Sequence, residues 1–110
     1  INLRTKMKLL NNIVATALLV GSVMIVSTPN VFADGKSLFA SSGCEGCHGT
    51  EGAGSVGPRL AGQQEKYLIA QFKLIRDKKR TTGLSSMMAP AVHEVSDEDI
   101  SAIAAYLSGL

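Results

Sequence analysis

The chain has 110 residues with 11 basic and 9 acidic side chains, three Phe, no Trp and two Cys. That is one domain's worth of chain, and a net charge of +2 excludes the concentrated Lys/Arg surface that nucleic acid requires. The averages mislead, however, because the first third differs in composition from the rest.

Between Ile13 and Val26 run fourteen residues whose only polar side chains are Thr16 and Ser22. Arg4, Lys6 and Lys8 precede them with no acid, and Pro29 and then Val31-Phe32-Ala33 follow. A basic start, an apolar run and small residues after a helix breaker make a secretory signal peptide, residues 1–33, with cleavage expected after Ala33. An uncleaved membrane anchor is the alternative, but a span takes about 20 apolar residues and Pro29-Asn30 ends this run early. Numbering begins at Ile1, read either as a non-standard start or as residues upstream of a start at Met7. Removing the leader takes three basic residues and no acidic ones, so the 77 residues from Asp34 to Leu110 carry eight bases against nine acids, a net charge of −1. A domain this small and this poor in aromatics needs a disulfide, a metal or a prosthetic group to complete its core.

Asp34 to Ala40 reads as a short first helix, weakly capped by Asp34, and Ser41-Ser42-Gly43 ends it. Both cysteines then fall in Cys44-Glu45-Gly46-Cys47-His48, the C-x-x-C-H arrangement of c-type haem attachment. Two thiols three positions apart match the two vinyl groups on adjacent edges of a porphyrin, and the next residue offers an imidazole to the iron. The rival readings of a C-x-x-C are a zinc site, a redox dithiol and a structural disulfide. A zinc site lacks ligands, since outside the motif the only Cys or His is His93. A thioredoxin-like dithiol lacks its βαβ pattern. Export agrees with haem, which is attached outside the cytoplasm.

Gly49 to Gly57 holds four glycines in nine residues, a loop composition. Neither a preceding strand nor a following Lys-Ser/Thr supports a phosphate loop, and the glycines suit a backbone wrapped closely about a haem edge. Gln64 to Lys79 reads as a long helix, with Leu68, Ile69, Phe72 and Ile75 on one face. Its end carries Lys73, Arg76, Lys78, Lys79 and Arg80, which either match the helix dipole or offer a docking patch to an acidic redox partner. Met87 and Met88 follow, and then His93. Ser96 to Leu107 is the last helix: Ser96 caps it with Asp99 three residues on, and Ile100, Ile103, Ala104 and Leu107 form its buried stripe. No stretch alternates as a strand does, so the fold is all-α.

Gly35 to Phe39, Cys44 to Gly49, Gly57-Pro58-Arg59-Leu60-Ala61-Gly62, Met88 and the stretch from Ser96-Asp97-Glu98-Asp99-Ile100 to Tyr106-Leu107 together resemble the class I c-type cytochromes. Pro58-Arg59-Leu60-Ala61-Gly62-Gln63, Tyr67-Leu68 and Gln71-Phe72 resemble in particular the middle of one half of the dihaem periplasmic cytochromes and their single-haem relatives. The resemblance implies a small fold of three to four helices wrapped around one covalent haem in residues 34–110. It implies that Phe39 packs on Tyr106 and that the Pro58 carbonyl receives the second imidazole N–H of His48. The sixth iron ligand would be Met88, eight residues before Ser96, with Met87 as the alternative and His93 as a remoter one. Leu60, Leu68 and Phe72 would pack against the porphyrin.

The expected activity is outer-sphere electron transfer in the periplasm, between donor and acceptor proteins such as membrane or periplasmic oxidase or reductase complexes. No set of catalytic acid, base or nucleophile is evident, so an electron carrier is expected rather than an enzyme. The carrier would be a monomer or weak homodimer, touching membrane only transiently or through an uncleaved leader. A haem enzyme or gas sensor with an open iron is the competing class, and a fixed subunit of a larger oxidoreductase is a third.

Overall fold

The computed structural model describes residues 21–25 and 31–110. Most of the leader reading therefore lies outside the described residues. Gly21 to Ile25 is exposed and has no regular structure. The remainder is all-helical, with no strand among the described residues: α1 (Val31–Ser41), α2 (Glu45–His48), a 3-10 turn at Thr50–Gly52, α3 (Glu65–Arg76), α4 (Ser85–Val92) and α5 (Asp97–Ser108). None of these helices is long and apolar enough to cross a membrane.

The first helix begins three residues earlier than the sequence suggests, so the 33/34 boundary falls inside it and Asp34 sits in its first turn. The reason is packing: the Phe32 ring meets Tyr106 edge-on, with centroids 5.1 Å apart. Phe39 contacts the same Tyr106 from one side at 6.1 Å, the aromatic contact expected between first and last helices. The backbones of α1 and α5 approach closely where Gly35 faces Ala102 and Tyr106. A Cβ at Gly35 would lie 2.7 Å from Tyr106 Cβ.

α1 ends in a Schellman motif. Gly43 takes φ 77°, its N–H donates to Ala40 O and the Cys44 N–H donates to Phe39 O. This satisfies the last helix carbonyls and turns Cys44 into the core beside Phe39.

α3 presents Leu68 and Ile75, both buried, with Ile69 and Phe72 half-buried, the face that the sequence pattern indicates. It stops at Arg76 rather than Lys79. A second Schellman motif closes it, with Lys78 in the left-handed region at φ 57°, its N–H on Ile75 O and that of Lys79 on Leu74 O. The run of cations offers no helix-stop residue, which is why the sequence reads through it.

α4 has no counterpart in the sequence reading, and it raises the helix count above the expected three to four. It is only eight residues long and contains Pro90, a residue that argues against a helix interior. α5 starts as predicted: Ser96 Oγ accepts the Asp99 N–H at 3.1 Å, a cap worth about 1 kcal/mol. Ile100, Ile103, Ala104 and Leu107 are all buried on its inner face, as is Tyr106.

Two apolar clusters result. Phe39, Cys44, Leu68, Ile103, Ala104, Tyr106 and Leu107 join α1, α3 and α5, while Ile75, Ala89 and Val92 join α3 to α4 with Phe72, Met88 and Val95 around them. Each large side chain so buried contributes roughly 1.5–3 kcal/mol. Between the clusters the protein leaves a cavity.

Candidate haem site

The cavity, about 640 Å³, falls within the roughly 300–1,000 Å³ usual for ligand and cofactor sites. Its walls are chiefly apolar, with Leu60, Leu68, Phe72, Ile75, Val92 and Ile103 among them. Cys44, Cys47 and His48 line it together with Met87 and Met88. The sequence-predicted set is thus brought together around one space. Ile69 is the exception on its helix face: it packs against the α1–α5 core instead.

The Cys44–His48 turn owes its shape to local hydrogen bonds, with the His48 N–H on Cys44 O at 3.0 Å and the Cys47 N–H on the same oxygen at 3.3 Å. Both cysteines are free thiols, Cys44 buried and Cys47 exposed. Burial pushes the Cys44 thiol above its ordinary pKa; a backbone hydrogen bond opposes this, and the nearby Cys47 and Glu45 charges add to it.

The Gly-rich loop folds back on this turn. The Gly57 N–H donates to Cys47 O at 2.7 Å and the Gly54 N–H to His48 O at 2.6 Å. That places the Pro58 carbonyl 2.9 Å from His48 Nδ1. A carbonyl only accepts, so Nδ1 carries the proton and Nε2 keeps its lone pair for a metal. The sequence reading has Gly57 as one of the loop glycines wrapped about a haem edge; in the structure it is fitted against the imidazole of His48. A Cβ there would stand 2.8 Å from both Cε1 and Nδ1 of His48. Its position directly before Pro58 was the available signal.

The two methionines differ in shelter. Met87 is 73% exposed, whereas Met88 is half-buried against Ile75, Ala89 and Val92. His93 does not line the cavity. It is exposed just past the end of α4, with Nδ1 bonded to Pro90 O at 2.8 Å. Arg59 and Arg80 also line the cavity, and sequence reading assigned neither of them to it. Of the basic run, Lys73 and Arg76 are committed to Asp97 and Arg80 to Gln71.

Two thiols, an imidazole with its metal-binding nitrogen free and an apolar cavity of this size are the donor set and space that covalently bound haem c needs. The cytochrome c family model matches residues 32–110, nearly the whole described helical body. The chain belongs to the cytochrome c family. It is 45% identical over 67 residues to cytochrome c-554(548) of Halomonas halodenitrificans, covering 59% of this chain and 81% of that protein. It is 36% identical over 81 residues to cytochrome c-553 of Nitratidesulfovibrio vulgaris, covering 71% and 78%. With cytochrome c4 of Pseudomonas aeruginosa it shares 33% identity over 96 residues, covering 77% of this chain. The match spans about half of that relative, 48%. This cytochrome is a class I c-type cytochrome, an electron-transfer protein whose cofactor is covalently attached haem c, and Cys44 to His48 fit the C-x-x-C-H attachment motif.

Proposed function

We propose that this chain is an exported single-haem electron carrier, with Cys44 and Cys47 as the thioether anchors and His48 and Met88 as the axial iron ligands. The bond from His48 Nδ1 to the Pro58 carbonyl carries the reading, because it fixes the tautomer whose Nε2 binds metal and raises its basicity. Met88 is preferred over Met87 because it is the half-buried one of the pair and already packs on α3. Haem c supplies a one-electron ferric/ferrous couple. The thioether of Met88 and the apolar walls from Leu60, Leu68 and Phe72 would both favour the less charged, reduced state, as Met/His ligation in a low-dielectric site does.

If His48 and Met88 both hold the iron, no substrate would need to reach it, which supports a carrier rather than an enzyme. Electrons would pass between a donor and an acceptor protein among membrane or periplasmic redox complexes, with this cytochrome a monomer or weak homodimer. The leader composition of residues 1–33 supports export to the periplasm and a mature domain of residues 34–110.

Absorption spectra of the purified holoprotein, ferric and ferrous, with and without carbon monoxide, test the ligation. Low-spin haem indifferent to carbon monoxide, made high-spin and reactive by Met88→Ala but not by Met87→Ala, is the expected result. Ready carbon monoxide binding by the wild type would mean an open iron and would replace the carrier with a sensor or enzyme.

A further inference from the structure

Arg76 is the last residue of α3, and its guanidinium reaches both ends of the segment that carries Met88. Nη1 donates to Asp97 Oδ1 at 2.6 Å and to the Val95 carbonyl at 3.0 Å. Nε donates to Asp77 Oδ1 at 2.9 Å. Asp77 opens the segment and Val95 and Asp97 close it, with Met88 between. Lys73 adds a second bond to Asp97 at 3.1 Å. The Arg76 side chain is only 16% exposed, although its carboxylate partners face solvent.

The segment has few other polar ties. Among the described residues, the side-chain and non-helical backbone hydrogen bonds found for Thr81 to Glu94 reach no further than the next turn of chain: Ser85 N–H to Thr82 O, Met87 N–H to Leu84 O, Ser86 Oγ–H to Gly83 O, His93 Nδ1–H to Pro90 O and Val95 N–H to Val92 O. Apolar contact of Ala89, Val92 and Met88 with Ile75 and Phe72 is what else holds α4 to the body. Stretches with so few fastenings open below the global unfolding free energy.

We propose that Arg76 is a positioning residue for the sixth iron ligand: by bridging Asp77, Val95 and Asp97 it keeps the Met88 segment closed. This rests on the reading of Met88 as that ligand. A planar fork with several fixed donors makes all three contacts at once, which a lysine ammonium does not.

The test is the rate at which imidazole displaces the sixth ligand from ferric holoprotein, measured to saturation, where opening of the Met88 segment limits it. Arg76→Gln should raise that limiting rate about tenfold, the consequence of losing the charge-assisted bonds that a largely buried guanidinium makes, and Arg76→Lys should restore part of it. Lys73→Gln, which shares Asp97 but leaves Val95 alone, should raise it less. Gly35→Ala, at the distant α1–α5 crossing, should lower the urea midpoint without raising the limiting rate. If Arg76→Gln behaves like Gly35→Ala, Arg76 is merely structural and the proposal fails. Should Arg76→Gln not fold, Asp97→Asn carries the same test with a smaller expected rise, and an unchanged rate there overturns the proposal. A wild type whose imidazole binding never saturates and matches Met88→Ala would sink the Met88 reading itself, and this one with it.

Discussion

Gly57 lies against the imidazole of His48, so close that a Cβ would stand 2.8 Å from Cε1 and Nδ1. The same residue's N–H holds the Cys47 carbonyl, so the ring and the attachment turn are fixed by one backbone unit. Gly57→Ala must push the ring off its bond to Pro58 or shift the loop. The expected outcome is a loss of stability of about 1–3 kcal/mol and a lower yield of covalently attached haem, read by the haem-to-protein absorbance ratio and urea unfolding.

At the crossing of the first and last helices, Gly35 allows α1 to lie against the Ala102 backbone and Tyr106 Cβ. Gly35→Ala gains helix propensity worth about 1 kcal/mol, but the Cβ meets backbone that does not yield. Net destabilisation of roughly 1–3 kcal/mol is expected, with the haem spectrum of the folded protein unchanged.

Lys78 holds φ 57°, where a side chain is strained by about 1–2 kcal/mol and glycine is not. Lys78→Gly should therefore stabilise the protein, by up to about 1 kcal/mol once the greater freedom of the unfolded glycine is counted. Thermal unfolding of the holoprotein measures it, and a fall in Tm would contradict the Schellman geometry.

Acid stability should reflect Asp97 and Asp77. The Arg76 hydrogen bond, with that of Lys73, holds the Asp97 carboxyl below its ordinary value, and the Arg76 hydrogen bond does the same for Asp77. Groups lowered on folding contribute stability above the unfolded carboxylate pKa of about 3.9, and it is lost as pH falls through the folded value. Unfolding followed from pH 6 down to pH 2 should steepen below about pH 4. Asp97→Asn should flatten that limb and leave the neutral side of the pH profile unchanged in shape.

Cleavage after Ala33 would remove Phe32 and its edge-on contact with Tyr106. A form beginning at Asp34 should be less stable than one retaining Val31 to Ala33 by about 0.5–1.5 kcal/mol for the aromatic pair. Comparing the two holoproteins in urea measures the difference.

Much of this protein is legible in one dimension because its chemistry is local. The C-x-x-C-H turn is five consecutive residues, the Ser96 cap and the apolar stripe of α5 repeat at helical spacing, and the face of α3 from Leu68 to Ile75 does the same. Each depends on neighbours within a turn or two of chain, and there the sequence is sufficient. The early start of α1 comes from Phe32 meeting Tyr106, 74 residues away. The early stop of α3 comes from an unfavoured lysine conformation that the turn imposes. α4 forms around a proline because Ala89 and Val92 bury against Ile75, and Gly57 matters only because the loop returns it to His48. By itself the sequence determined the cofactor's attachment and the helices with strong periodicity, since those follow from covalent spacing and local propensity. Only the tertiary structure decided which methionine is sheltered, which cations are committed and what Arg76 fastens, because those depend on contacts between residues distant in the chain.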